Sequence, residues 1–571
     1  MNAYARQIVG HFRERRDQVF SHVVVDDETH TVRWRDLERG CRQVAACLAE
    51  ACGRPTPDEG RVVLIFLPHG TALFPAFLGA MLGGFVPSFM PCPSARQDPD
   101  LYWQSHQALL RRIRPAAVIS NAGMFEQMAA CGLDTGSAVQ IDEDELFAIA
   151  PVSPPDESSP APEFVARDGR AIALLQHSSG TTGLKKGVAL SFDAIAAHAR
   201  SYGRTLGVGE SDTVVSWLPL YHDMGLIACF VTPAWTGTGT VQMSAFEWVN
   251  RPQQLFKLIE RHRGTLCWLP NFAFEHLIHT VGRHAGRFDL SSVRAFISCS
   301  EPCKAATFAR FRETFEAAGL GETALGSCYA MAETVFGVTQ SPLGAELSHR
   351  SFERHRLDRG DRVVEIDEGE DSVELVDCGV PLGGIDLRIV DAERRPLEDG
   401  SVGEIAIAGD FLFDGYHEDP ERTRRSVEGG RYHSNDLGFL HGGRLYVLGR
   451  VDDLIIVNGR NLFAHQIEAL AGRIPGLKAG RVVALPIPDE RTGSNVLVIV
   501  AERDADAMTD ERSVVRAALT LVESEIDVLP HAVELLERGS LLKTSSGKLS
   551  RRENLRRYLD GGFGTPLGRA A

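Results

Sequence analysis

The first half of the 571-residue chain alternates short apolar runs with amphipathic stretches, and this alternation narrows the possible folds more than any other feature. RVVLIFLP (61–68), PAAVIS (115–120), AIALLQ (171–176) and DTVVSWLP (212–219) read as buried strands, and WRDLERGCRQVAACLAE (34–50) as an amphipathic helix. Strands buried on both faces and separated by helices predict α/β layers with mostly parallel sheets. ALFPAFLGAMLGGFVPSFM (72–90) is broken by Pro75, Pro87 and several glycines, so it predicts a buried helix and then a buried strand, not a membrane span. The chain is too long for one core. Its pattern shifts near Gly449–Asp453, after which LIIVNG, a helix from Ala464, VVALPIP and VLVIVAE outline a small α+β unit of about 120 residues. The expected division is a large α/β domain over 1–449 and a small α+β domain over 450–571.

Charge and cysteine content exclude several classes. A net charge of −16 makes the chain a poor candidate for coating nucleic acid or an anionic membrane. The segment from Asp453 onward is neutral, with 16 basic and 16 acidic residues, and Lys543, Lys548, Arg551, Arg552, Arg556 and Arg557 gather near its end. Such a cluster is either a solvated helix face or a docking surface for an acidic partner. The 11 cysteines are scattered without a CxxC pair, which fits a reducing compartment with neither a disulfide framework nor a structural metal. The first twenty residues lack the apolar core of a signal peptide, so a cytoplasmic location is expected.

The most chemically loaded stretch is HSSGTTGLKKGVALS (177–191). It follows an apolar run and precedes a helical pattern from Phe192, which predicts strand, loop and helix. Glycine-rich turns expose successive N–H groups as an anion nest, and the next helix N-terminus adds its dipole. Ser178, Ser179, Thr181 and Thr182 supply hydroxyls, Gly180, Gly183 and Gly187 allow close backbone approach, and Lys185 and Lys186 supply charge. No Walker A spacing fits it. Four later stretches add chemistry: WLPLYHDMGLI carries His222 and Asp223, ISCSEPC carries Glu301 and Pro302, CYAMAETVFG carries Glu333, and RYHSNDLGFL carries Asp436.

In this order, these stretches resemble the adenylate-forming superfamily of acyl-CoA synthetases, fatty acyl-AMP ligases and adenylation domains, from roughly Val24 to Arg552. Ser178–Gly187 matches the family loop [ST]SG[ST]TGxPKG, with Lys185 in place of proline. Tyr329–Glu333 matches YGxxE with Ala330 for glycine, Ser434–Gly438 matches TGDLG, Gly449–Asp453 matches GRxDD, and Leu542–Lys548 matches PKTxxGK. The resemblance implies a large N-terminal adenylation domain of several subdomains, with two layered sheets and a β-barrel-like part, and a small mobile lid. It implies ATP and Mg²⁺ as cofactors and attack of a carboxylate on the α-phosphate to give acyl-AMP and pyrophosphate. The implied roles follow residue by residue. Lys548 would bridge acyl carboxylate and phosphate. Glu333 and Thr181 would hold magnesium, Thr334 would touch the α-phosphate, and Asp436 and Arg450 would bind ribose. Ser300, Glu301, Pro302, Tyr329, Ala330 and Met331 would frame adenine. His222 would gate the acyl site, Asp452 would act as hinge, and Asp223, Trp268, Phe272, Phe274, Cys299 and Ala330 would line the acyl pocket.

Three stretches are similar to the fatty acyl-AMP ligase branch: YHDMGLI, VNGRNLFAHQIE, and the long segment 340–376, where that branch carries an insertion believed to hamper lid rotation. The implied acceptor is then the phosphopantetheine thiol of an acyl carrier protein supplied in trans. An acyl- or aryl-CoA ligase and a catalytically silent adenylate-binding homologue are the alternatives. Cys299 and Ala330, standing where glycine is common, would narrow the pocket.

Overall fold

The computed structural model describes the chain except for residues 57–58, 94–98, 149–163, 179–185, 302–303, 370, 458–459, 490–493, 505–509, 527, 544–548, 564–567 and 571. The apolar runs become strands as their pattern demands: Val62–Phe66, Ala117–Ser120, Ile172–Ser178 and Thr213–Ser216. The run 72–90 forms the wholly buried helix Leu73–Leu82 and the wholly buried strand Val86–Phe89. Trp34–Cys52 is a 19-residue helix whose apolar stripe, including Trp34, Leu37, Val44 and Leu48, is turned inward.

The largest sheet is nine-stranded among the described residues. Leu325–Ala330, Ala295–Ser298, Leu266–Leu269, Thr213–Ser216, Gly239–Gln242 and Val19–Val25 run parallel in that order, with antiparallel strands at both edges. A second, parallel sheet orders Val86–Phe89, Val62–Phe66, Ala117–Ser120 and Val139–Asp142. The two share one core that includes Trp34, Phe74, Phe77, Phe230, Trp268 and Phe336. An antiparallel sheet of Ile385–Val390, Gly403–Gly409, Arg431–His441 and Arg444–Arg450 has its own cluster around Phe439 and Tyr446. Two further clusters draw only on residues from Ile455 onward, built on the sheet that contains Leu477–Asp489, Ser494–Arg503 and Ala532–Leu536.

One local expectation changes. After the loop, the chain does not enter a helix directly. Lys186–Ser191 forms a strand antiparallel to Ile172–Ser178, because its apolar VALS run pairs as a hairpin before Ser191 caps the helix Phe192–Leu206. The helix dipole therefore starts beyond a whole strand from the loop and is not its anion-binding partner. The long segment 340–376 folds into the hairpin His349–Glu353 with Ser372–Val376. Its Phe352 is wholly buried and packs edge-on against Phe439 and Tyr446, in a cluster that also takes in Phe463.

Candidate active site

The predicted site residues fall where the parallel strands of the large sheet end. His222 follows Thr213–Ser216, Phe272 follows Leu266–Leu269, Ser300 and Glu301 follow Ala295–Ser298, and Met331 and Glu333 follow Leu325–Ala330. Carboxyl ends of parallel strands are where open α/β sheets bind ligands. A separate cleft of about 330 Å³, lined by Arg15, His22, Glu210, Asp212, Thr240 and His262 among others, opens at the amino ends and contains none of the predicted residues.

The ribose group of the prediction is assembled tightly. Asp436 and Arg450 face each other across the pair Arg431–His441 and Arg444–Arg450, and Arg450 Nε donates to Asp436 Oδ1 at 3.1 Å. The Tyr329 hydroxyl donates to Asp436 Oδ2 at 2.6 Å. Burial pushes the Asp436 carboxyl above the usual carboxylate range, and Arg450 and Tyr329 offset part of that rise. Burial also pulls the Arg450 guanidinium down, but Asp436, Asp453 and Tyr432 together outweigh this and leave it raised. The preceding residue, Asn435, has φ +62°, and its N–H donates to Glu404 Oε1 at 2.9 Å. That kink turns Asp436 toward Tyr329.

The expected phosphate side centres on Glu333, which is 6 % exposed. Tyr416 donates its hydroxyl to Glu333 Oε1 at 2.7 Å, and Lys186 Nζ lies 4.0 Å from the same oxygen. Tyr416 reaches this position because Gly415–Tyr416 pairs with Lys186–Ser191, opposing Val188. Burial lowers the Lys186 pKa, Glu333 opposes that fall, and Arg422 and Arg450 add to it. Glu333 sits in a closed turn in which Met331 N–H donates to the Phe336 carbonyl at 2.9 Å. Inside it, Val335 adopts φ +64° and ψ −56°, and Phe336 N–H donates to the Thr334 carbonyl at 2.7 Å. This is a γ-turn of the strained hand at a β-branched residue. Thr334 is fully buried, and its hydroxyl lies 3.1 Å from the Met331 carbonyl and 3.0 Å from that of Phe336. As placed it braces the turn, and contact with a phosphate would require its hydroxyl to leave these carbonyls. Strain of this kind persists where surrounding contacts hold it.

His222 Nδ1 lies 2.6 Å from Asp223 Oδ1, and Asp223 Oδ1 also accepts the Met224 N–H at 2.8 Å. They open the wholly buried π-helical segment Met224–Val231. Gly225 is required there, since a Cβ would stand 2.3 Å from the Pro219 carbonyl oxygen. Glu301 Oε2 accepts the N–H of Phe272 at 3.0 Å, fixing the start of the helix Asn271–Val281, and Ser300 before it has φ +71°. Ala330 and Met331 are half-buried beside this ledge.

Three residues of the expected acyl pocket, Phe274, Trp268 and Cys299, are buried. Phe274 is wholly buried against Phe308 and Phe311, because it lies on the core face of its helix while Phe272, two residues earlier, is 44 % exposed. Trp268 is also core: its Nε1 donates to the Tyr202 hydroxyl at 2.9 Å, which donates to Gln340 at 3.1 Å. Cys299 is wholly buried. Phe272 instead edges a parallel stack of Trp217 on Trp248, whose centroids are 3.9 Å apart. Ser179, Gly180, Thr181, Thr182, Gly183, Pro302 and Lys548 lie outside the described residues. The hinge candidate Asp452 is exposed, and just beyond it Asp453 pairs with Arg551 at 2.6 Å, as does Glu468.

Sequence reading missed Tyr416 and Arg422. Tyr416 lies 83 residues from the carboxylate it holds, and nothing local in FDGYHEDPERT marks it. Among the described residues no group of three or more His, Cys, Asp or Glu side chains could hold a metal ion by itself. One buried carboxylate beside a polyphosphate site nevertheless suits Mg²⁺, which keeps its waters and takes one or two carboxylates together with substrate phosphates. Glu333 fits that demand.

Fold and site together define an adenylate-forming ligase. Residues 12–417 match the family described as AMP-binding enzyme, and the chain belongs to that family. It is 31% identical over 531 residues, 88% of each chain, to the long-chain-fatty-acid–AMP ligase FadD26 of Mycobacterium marinum. It is 28% identical over 559 residues, covering 94% of this chain and 91% of the relative, to the medium-chain-fatty-acid–[acyl-carrier-protein] ligase JamA of Moorena producens. A solved structure from a study of fatty acyl-adenylate ligases of E. coli and L. pneumophila superposes with a TM-score of 0.87 at 24% identity, covering 98% of both chains. No described helix is long and apolar enough to cross a membrane.

Proposed function

We propose that this enzyme joins a carboxylic acid to AMP, releasing pyrophosphate, and passes the acyl group to the phosphopantetheine thiol of an acyl carrier protein. The observation that carries the reading is the convergence of Asp436, Tyr329 and Arg450 with Glu333 and Lys186 at one end of the large sheet. Asp436 accepts the ribose hydroxyls, a task for a carboxylate's lone pairs. The loop 178–187, Lys186 and Glu333 hold the phosphates, with Mg²⁺ offsetting phosphate charge when bound. His222, oriented by Asp223, stands beside the acyl carboxylate. Lys548 bridges carboxylate and α-phosphate in the transition state, where developing charge is stabilised most.

For transfer, the segment after about residue 449 rotates at Asp452 and withdraws Lys548, a hinge switch between two packed states. Two relatives bear on the acid and the acceptor: FadD26 is named for long-chain and JamA for medium-chain fatty acids, and JamA for a carrier protein. The hairpin 349–376, anchored through Phe352 in the cluster that includes Phe463, opposes free rotation and favours carrier over CoA. The basic cluster that would meet an acidic carrier is smaller than the sequence suggests. Arg551 is tied to Asp453 and Glu468, and Arg557 packs on Phe563 and donates to the Ser540 carbonyl, whereas Arg552 and Arg556 are exposed, Arg556 in a 2.6 Å ion pair with Glu553.

The test is acid-dependent ATP–pyrophosphate exchange over a panel of acids, then mass spectrometry of product with CoA or a holo-carrier protein. Exchange with at least one apolar acid and acyl transfer to the carrier are expected. Transfer to CoA alone would make the enzyme a CoA ligase, and absence of exchange over the whole panel would make it a silent homologue.

A further inference from the structure

Two cations share one aromatic ring on the phosphate side. Lys186 Nζ lies 5.4 Å from the Tyr416 ring centroid, and Arg422 Cζ lies 5.6 Å from the same centroid. Both distances fall within cation–π range. The ring is itself fixed: its hydroxyl donates to Glu333 Oε1, and the backbone N–H of Tyr416 donates to Thr423 Oγ1 at 2.9 Å. Arg422 therefore stands on the rim of the Lys186–Glu333 group, on the short helix Pro420–Ser426 that follows the strand carrying Tyr416.

The pairing of these cations is loose. Lys186 has Glu333 at 4.0 Å and Arg422 has Asp419 at 3.9 Å, both too long for a hydrogen bond. Arg450, by contrast, holds Asp436 at 3.1 Å. The Arg422 side chain is 20 % exposed, so its guanidinium has a path to solvent and to a ligand. Like charges this close repel, and the Arg422 charge indeed opposes protonation of Lys186. A polyanion placed between them turns that repulsion into attraction, and a planar guanidinium presents paired N–H groups to phosphate oxygens.

We propose that Arg422 is a second phosphate-binding cation of this enzyme, contacting the β- and γ-phosphates of ATP and the departing pyrophosphate together with Lys186, with Tyr416 setting the spacing of the two. The inference rests on the reading of this site as an ATP site. It assigns Arg422 to substrate contact and Tyr416 to positioning.

The experiment compares wild type, R422M and R422K. R422M keeps an unbranched stem on the Tyr416 ring and so preserves packing while removing charge. In pyrophosphate exchange, KM for pyrophosphate should rise about tenfold in R422M, with KM for the acid within twofold of wild type. Inorganic pyrophosphate with Mg²⁺ should raise the melting temperature of wild type, hardly that of R422M, and that of R422K in between. A melting temperature lowered in R422M with both KM values unchanged would make Arg422 a packing residue and overturn the proposal. So would an equal rise in the KM for acid and pyrophosphate, or an R422K variant no better than R422M. A wild type with no exchange and no thermal response to ATP or pyrophosphate would instead refute the ATP site itself.

Discussion

The two halves of the proposed nucleotide site are built on opposite electrostatic plans. On the ribose side every charge is satisfied: Asp436 holds Arg450 and Tyr329 at 3.1 and 2.6 Å, and the pair comes from adjacent strands of one hairpin. On the phosphate side Lys186 and Arg422 have carboxylates only at 4.0 and 3.9 Å, and the Tyr416 ring lies between segments far apart in sequence. The difference follows from what each half must do. A ribose arrives neutral and needs an acceptor already aimed at it. A triphosphate brings several negative charges, and cations already neutralised by close ion pairs would have to break those pairs to bind it. The ribose side is thus preorganised by hydrogen bonds, and the phosphate side by rigid backbone that holds like charges together.

The largest expected effect lies with the one charge supplied from the C-terminal part of the chain. Lys548→Ala should lower acyl-AMP formation by about 10²–10³-fold, while thiol transfer from added acyl-AMP stays within a fewfold of wild type. Normal pyrophosphate exchange in this variant would show that the two fixed halves suffice without Lys548. Next comes the satisfied side. Asp436→Asn keeps the shape but removes the charge that holds Arg450, so KM for ATP should rise about tenfold and the melting temperature should fall. If the variant loses stability with no change in KM for ATP, Asp436 is a structural ion-pair partner and the contrast between the halves collapses.

The third test addresses the backbone that stands in for hydrogen bonds. Val335→Gly releases about 1–3 kcal/mol of strain at φ +64°, against about 1 kcal/mol of chain entropy and about 1.5–3 kcal/mol for the wholly buried side chain it deletes. The melting temperature should therefore fall less than for Val338→Gly, a wholly buried valine without that backbone strain, while exchange slows a fewfold because Glu333 is no longer fixed in its turn. An unchanged rate would show that Tyr416 alone positions the carboxylate.

Residues whose partners are near in sequence or on the next strand were legible; those met by distant chain were not. The strand and helix pattern of the first half followed from periodicity, and Asp436 with Arg450 sits on a single hairpin. The hairpin strand Lys186–Ser191 was concealed because a six-residue apolar run before a helix reads equally as the helix's approach. Tyr416 was invisible, since its role depends on a pairing with Val188 made more than two hundred residues earlier in the chain. The surroundings of Trp268 and Phe274 were hidden for a related reason: an aromatic after a strand suits a pocket or a core equally, and their contacts with Tyr202, Phe308 and Phe311 come from other elements. The strain at Val335 has no signature in its own residue type, because valine is the wrong residue for that conformation.

The smallest effect concerns what holds the strand leaving that strained turn. His198 is wholly buried among Tyr202, Phe336 and Phe411, and its Nε2 accepts the N–H of Gly337 at 2.9 Å. Burial pulls its pKa from 6.5 down to about 3. The folded protein therefore keeps this ring neutral where the unfolded chain would protonate it. Its stability contribution is complete above pH 6.5 and is lost progressively as the pH falls from there toward 3. His198→Gln, which retains an acceptor for Gly337 but does not titrate, should show a shallower fall in melting temperature between pH 6.5 and 4 than wild type. Equal slopes for variant and wild type would mean that His198 is protonated in the fold, and Nε2 could not then accept the Gly337 N–H.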